Sequence, residues 1–201
     1  MGCDIHVMVE ARRFPCGSNE WFNVDNWRHN PFSSYEGEPR MTVKAIYNIR
    51  DYELFSFLAD VRNYGHNPSF GFDRGFPKDA NEHTTAEYAR WGQDAHTPGY
   101  ATLAELKEKI KTVSKVNRKG FVEKEQAIRF RETGAEPDTW YQGIGMPELY
   151  EWMEWQAEPN CFDLLLEALE ERKRDIFWIF RPEDDDGSND ANIRIVFWFD
   201  N

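Results

Sequence analysis

Met1-Gly2-Cys3-Asp4-Ile5-His6-Val7-Met8-Val9-Glu10 is the stretch from which the fold is read. Ile5, Val7 and Val9 alternate with Asp4, His6, Met8 and Glu10. Period-two alternation marks a β-strand with one apolar face, and here the other face carries chemical groups. Asp4 and His6 are two residues apart, so they share that face at a separation of roughly 6.5–7 Å. A carboxylate and an imidazole so placed can converge on one ion or one substrate atom. Their oxygen and nitrogen donors suit a borderline divalent transition metal such as Mn, Fe, Ni or Zn. The plainer account is that both residues line the solvated face of a strand.

The other end of the chain has the same character. Ile193, Ile195, Phe197 and Phe199 alternate with Arg194, Val196, Trp198 and Asp200, which reads as a two-sided strand near the centre of a sheet. Terminal strands often pair, so Asp200 is expected near Asp4 and His6. Trp21 to Val24 reads as the hairpin partner of the first strand, and Ile176 to Arg181 as that of the last. The acidic run from Glu183 to Asp190 resembles a calcium loop. In the aligned register, however, Pro182 and Ile193 occupy the first and twelfth ligand positions, so a solvated hairpin tip is the better account.

Between these ends the pattern turns helical. Leu54, Phe57, Leu58 and Val61 form one stripe of a helix over 51–61. Thr84 with Glu87, and Thr102 with Glu105, read as capping boxes that open helices to about Arg90 and Thr112. Pro147 fits the first turn of a helix to Ala157, and Asn160 the cap of another that ends in Arg172-Lys173-Arg174. Helices and strands do not alternate regularly. The expected class is therefore α+β: a mixed, largely antiparallel sheet from N- and C-terminal hairpins, with about four or five helices packed on it.

A length of 201 residues makes one domain, 1–201, the default. Hydrophobic content of 40% predicts a globular chain. A net charge of -12 argues against broad nucleic-acid binding, which needs a basic footprint. The same charge leaves room for an acidic protein that competes for a basic partner. Cys3, Cys16 and Cys161 form no CxxC spacing, which predicts a reducing, cytoplasmic setting. No signal-like or membrane-spanning apolar run is present in the sequence, so no membrane association is expected.

A second Asp-x-His, Asp94-Ala95-His96, falls on a loop expected to lead into the helix at Thr102. Asn63 to Glu82 is dense in Gly, Asn and Pro, the kind of long irregular segment that is often functional. Within it, Arg74 has the planar donor fork that holds a phosphate or carboxylate. Lys115, Arg118, Lys119, Lys124, Arg129 and Arg131 make the middle of the chain locally basic, read as a solvated helical face or a surface for a nucleotide or acidic partner. No Walker loop, GxGxxG, GxSxG or His-Glu-x-x-His occurs.

Taken together, Gly2-Cys3-Asp4-Ile5-His6, the Arg50 to Asn63 block, Arg74 to Asp79, Asp94-Ala95-His96, Thr102 to Leu106 and the Val196 to Asn201 end resemble a family of uncharacterised phage and bacterial proteins that begin MGCDIH. The resemblance implies a phage or mobile-element setting, with roles in nucleotide metabolism or in countering host defence. It carries over no catalytic residues. The second Asp-x-His departs from the family pattern, continuing as Thr97-Pro98-Gly99 where the family has Ser residues. The opening also resembles the start of metallophosphoesterase sites, but the Gly-Asp and Gly-Asn-His blocks of those sites are missing.

Two functional expectations result. The first is a divalent-metal-dependent hydrolase of a phosphate ester or nucleotide. Asp4, His6, Asp94 and His96 would be its metal ligands, Asp200 a further ligand or general base, and Arg74 the clamp for an anionic substrate. The second is a non-catalytic acidic protein that inhibits a basic host protein or sequesters a nucleotide-like ligand through aromatics and Arg.

Overall fold

The computed structural model describes residues 2–12, 20–143, 147–176 and 188–200. In chain order these run β1 (Asp4–Ala11), β2 (Phe22–Asn23), β3 (Asn26–His29), β4 (Met41–Lys44), α1 (Tyr52–Ala59) and α2 (Glu82–Trp91). They continue through β5 (His96–Thr102), α3 (Leu103–Ile110), β6 (Val116–Glu123), α4 (Lys124–Thr133), β7 (Tyr150–Ala157) and α5 (Asp163–Asp175). A 3-10 turn (Ser188–Asn192) leads into β8 (Ile193–Asp200). The fold is α+β.

The main sheet has the order β2-β1-β8-β5, all antiparallel, so β8 is a central strand. Its two-sided pattern has a direct cause: every residue from Ile193 to Phe199 is buried. One face carries Ile5, Val7 and Val9 of β1, with Cys3 just before it, and Ile193, Ile195, Phe197 and Phe199 of β8. Leu54, Phe55, Phe57 and Leu58 of α1, Leu103 and Leu106 of α3, and Leu165 and Leu169 of α5 pack against it. The opposite face meets α2, where Trp91 lies on His6 and Tyr88 on Trp198. A smaller cluster of Val122, Ala127, Met153, Trp155 and Ala157 joins α4 to the β6–β7 hairpin.

Several local readings change. Residues 147–157 form no helix; most of that stretch is β7. Met153, Trp155 and Ala157 are buried while Trp152, Glu154 and Gln156 are exposed, a period of two that its crowded aromatics obscure. The cap of α2 is Asn81, and Thr84 lies buried inside the helix. Asn160 does not cap α5, which starts after Phe162 without a side-chain cap. The Thr102–Glu105 capping box is present, with both bonds formed. Residues 177–181, most of the acidic run and Cys16 lie outside the described residues.

Four of the six basic residues of the middle segment are neutralised at home, while Lys119 and Lys124 form no ion pair among the described residues. Arg118 pairs with Glu53 and Glu136, Lys115 with Glu158, Arg129 with Asp138 and Arg131 with Glu151. The Arg118–Glu53 pair ties β6 to α1.

At Gly99, a bulge in β5 brings the backbone so close that a Cβ would stand 2.2 Å from the Phe72 carbonyl oxygen and 2.5 Å from Phe197 Cζ. Gly99→Ala is expected to lower stability by about 1–3 kcal/mol, read as a drop in urea midpoint.

Asp25 pins β1 to β2. Its Oδ2 accepts the Val9 backbone N–H at 2.9 Å and the Asn23 amide at 2.7 Å, while Oδ1 is buried without a partner among the described residues. Burial pushes its carboxyl up from 3.8 to about 6, against the pull of those two donors. The folded state therefore holds a proton that the unfolded chain releases near 3.8. Stability contributed here is full below that value and is lost as pH rises to about 6. The shift corresponds to about 3 kcal/mol. Asp25→Asn is expected to gain on wild type by about that amount between pH 4 and 7, measured by denaturation at each pH.

Candidate functional site

The site forms where β1 begins and β8 ends. Antiparallel register sets Asp4 opposite Asp200 and His6 opposite Trp198, so Asp4, His6 and Asp200 share one face. The Asp200 carboxylate bridges the other two. Its Oδ1 accepts the Asp4 backbone N–H at 3.1 Å, and its Oδ2 lies 3.2 Å from His6 Nε2. A carboxylate only accepts, so this contact puts a proton on His6 Nε2 and leaves Nδ1 as the position of the lone pair in the neutral form of the ring. Among the described residues nothing hydrogen-bonds Nδ1. The ring lies between Trp91 at 3.9 Å and Trp198 at 5.6 Å, centroid to centroid.

Arg50 closes the outer side. Its Nε and Nη2 donate to the two Asp4 oxygens at 2.8 and 2.6 Å, and this contact holds the Asp4 carboxyl below its ordinary range. Gly2 makes room for it, since a Cβ there would stand 2.2 Å from Arg50 Nη1. A cavity of about 480 Å³ opens over the cluster, lined by Asp4, His6, Asp200, Trp91, Trp198 and Glu87 among others. Glu87 is paired with Arg90. Two of the three carboxylates thus have an arginine partner, and the third faces His6.

The remaining expected site residues lie elsewhere. His96 is directly opposite Phe199, the neighbour of Trp198 on β8. Successive strand residues point to opposite faces, so the sheet separates His96 from His6. His96 instead meets Thr97 Oγ1 through Nδ1 at 2.9 Å and stands 4.0 Å from the buried Cys3 Sγ. Burial pushes the Cys3 thiol up, against the opposing effect of Arg62. Asp94 is exposed in the turn before β5. Arg74 forks onto both Glu105 oxygens at 2.9 and 2.8 Å and donates to the Tyr100 carbonyl at 3.1 Å. It is a strut between β5 and α3.

The expected four-ligand metal set is therefore not gathered. Among the described residues no group of three or more His, Cys, Asp or Glu is placed to hold an ion. The nearest candidate, Asp4 with His6 and Asp200, does not fit as arranged, because Arg50 covers both Asp4 oxygens and Asp200 spends its own on Asp4 and His6. No family model, curated protein or solved structure matches this chain. No helix among the described residues is long and apolar enough to cross a membrane.

Proposed function

We propose that Asp4, His6 and Asp200 form the acid–base centre of a hydrolase acting on a phosphate ester or nucleotide, in the phage-type setting that the MGCDIH resemblance implies. The observation that carries the reading is the Asp200 carboxylate fixing His6 at the wall of a cavity. In this reading His6 takes a proton from the attacking water and returns it to the leaving group. Asp200 is a positioning residue that fixes the tautomer. Arg50, about half exposed and paired to the cavity-lining Asp4, grips the phosphoryl oxygens by partly releasing Asp4. No step is routed through a metal, since the donors as placed do not fit one.

The test is hydrolysis of a panel of phosphate mono- and diesters and nucleotides by wild type and His6→Ala, each with and without Mn²⁺ or Zn²⁺. Turnover that His6→Ala abolishes supports the reading. Turnover that appears only with metal would require Arg50 to leave Asp4, and no turnover on any substrate would count against the reading altogether.

A second reading, a non-catalytic acidic protein that blocks a basic host protein, is favoured by apolar side chains exposed around the β3–β4 hairpin. Phe32 is 60% and Tyr35 66% exposed there. It predicts a salt-sensitive complex that weakens on Phe32→Ala and is indifferent to His6→Ala.

A further inference from the structure

A second, larger cavity of about 810 Å³ lies between α1, the 62–67 loop, the β6–β7 hairpin and residues 137–142. Its volume is in the range of small-molecule sites. Two kinds of side chain meet in its wall. Tyr52, Tyr64, Trp140 and Tyr141 supply aromatic rings. Arg50, Arg62, Arg118 and Lys119 supply cationic groups in a protein whose net charge is -12, with Arg50 paired to Asp4 and Arg118 to Glu53 and Glu136.

The acids in the wall are already engaged. Asp51 caps α1 through the Glu53 and Leu54 N–H groups, Glu53 is held by Arg118, and Asp138 by Arg129. Lys119 is the contrast. It is half-buried and forms no ion pair among the described residues, although Glu154 is its cross-strand neighbour. An ammonium group in that position is free to meet an anion.

The wall is also preformed. Asn67, buried, exchanges two hydrogen bonds with the Asn117 backbone, at 3.1 and 2.8 Å, so that its amide imitates a strand partner of β6. Asn63 in turn holds Asn67 through both its backbone groups. Gly65 permits the approach, since a Cβ there would stand 2.0 Å from the Asn117 carbonyl oxygen. Arg62 and His66 sit at positive φ, 51° and 52°, a conformation that side-chain-bearing residues rarely adopt. The fold thus spends unusual backbone on holding Arg62 and Tyr64 in this wall.

We infer that this cavity binds a planar aromatic group carrying an anion, of the nucleoside monophosphate class, with the base against the tyrosines and Trp140 and the phosphate toward Lys119. Stacking tolerates any base, so selectivity for the anion should exceed selectivity for the base. The inference stands on the second cavity alone and holds whether or not His6 is catalytic.

The test is titration calorimetry with AMP, GMP, CMP and UMP, with adenosine and inorganic phosphate as the two half-ligands. Wild type is expected to bind at least one nucleotide with Kd below about 1 mM, at least about tenfold more tightly than either half-ligand. Lys119→Glu is expected to weaken nucleotide binding about tenfold or more and leave adenosine binding unchanged, while Tyr64→Ala weakens both. Both variants are checked for wild-type circular dichroism, and Lys119→Gln gives the milder charge change if Lys119→Glu misfolds. No saturable binding of any nucleotide up to about 5 mM, equal affinity for adenosine and AMP, or indifference to the Lys119 substitutions would overturn the inference.

Discussion

Arg194→Ala is expected to cost about 3–5 kcal/mol of folding stability, the largest effect of any single substitution considered. Arg194 and Glu10 face each other across β8 and β1, and their side chains are 3% and 0% exposed. Arg194 Nε and Nη2 both reach Glu10 Oε2, at 2.8 and 2.7 Å. Its Nη1 donates to Asp79 Oδ1 at 3.0 Å, and its guanidinium lies 4.0 Å over the Trp21 ring. The other Glu10 oxygen accepts the Asn81 backbone N–H at 2.7 Å, next to the start of α2. Removing the arginine leaves a carboxylate in the interior with one donor, opens a cavity beside Trp21 and frees the segment that leads into α2. Urea denaturation should show the loss as a lower midpoint. Glu10→Leu with Arg194→Met should recover a large part of it, because an apolar pair carries no desolvation penalty. A double variant as unstable as Arg194→Ala would mean that the pair itself, rather than the stranded charge, sets the cost.

Asp200→Asn is expected to lower kcat by about 10²–10⁴-fold on whichever phosphate ester the protein turns over. The substitution keeps the shape. An asparagine Oδ1 still accepts the Asp4 N–H, so stability should change little. Its Nδ2 then faces His6 Nε2 as a donor, which moves the ring proton to Nδ1 and removes the lone pair that serves as base. KM should stay within about threefold of wild type, because Arg50 is untouched and asparagine keeps the shape of the cavity wall at position 200. A purely structural role for Asp200 would reverse this split, changing stability and KM while leaving kcat intact.

How legible these features were depended on whether the signal was local. Strands β1 and β8 are written as period-two alternation, and α1 and α3 as stripes and caps a few residues long. The pairing of Asp4 with Asp200 spans 196 positions, yet both sit at the ends of legible strands, so simple strand pairing anticipated it. Strand β5 was hidden because Pro98-Gly99 and a bulge break its alternation. The aromatics of β7 filled helical and strand spacings alike. Arg74 looked like a free clamp because Glu105, which occupies it, is 31 residues away. Arg50 was visible only as a flank of α1, and nothing local tied it to Asp4. His96 was misjoined to His6 because an Asp-x-His pair does not reveal which side of a sheet its strand presents.

The most direct test of the central claim is the tautomer of His6, observed by long-range ¹H–¹⁵N correlation of the imidazole nitrogens in alkaline buffer, where the neutral ring is seen. The structure predicts a proton on Nε2, a bare Nδ1, and a switch to the Nδ1–H form in Asp200→Asn. An Nδ1–H ring in wild type, or the same spectrum in both proteins, would contradict the account, because Asp200 would then not be what holds His6 as a base.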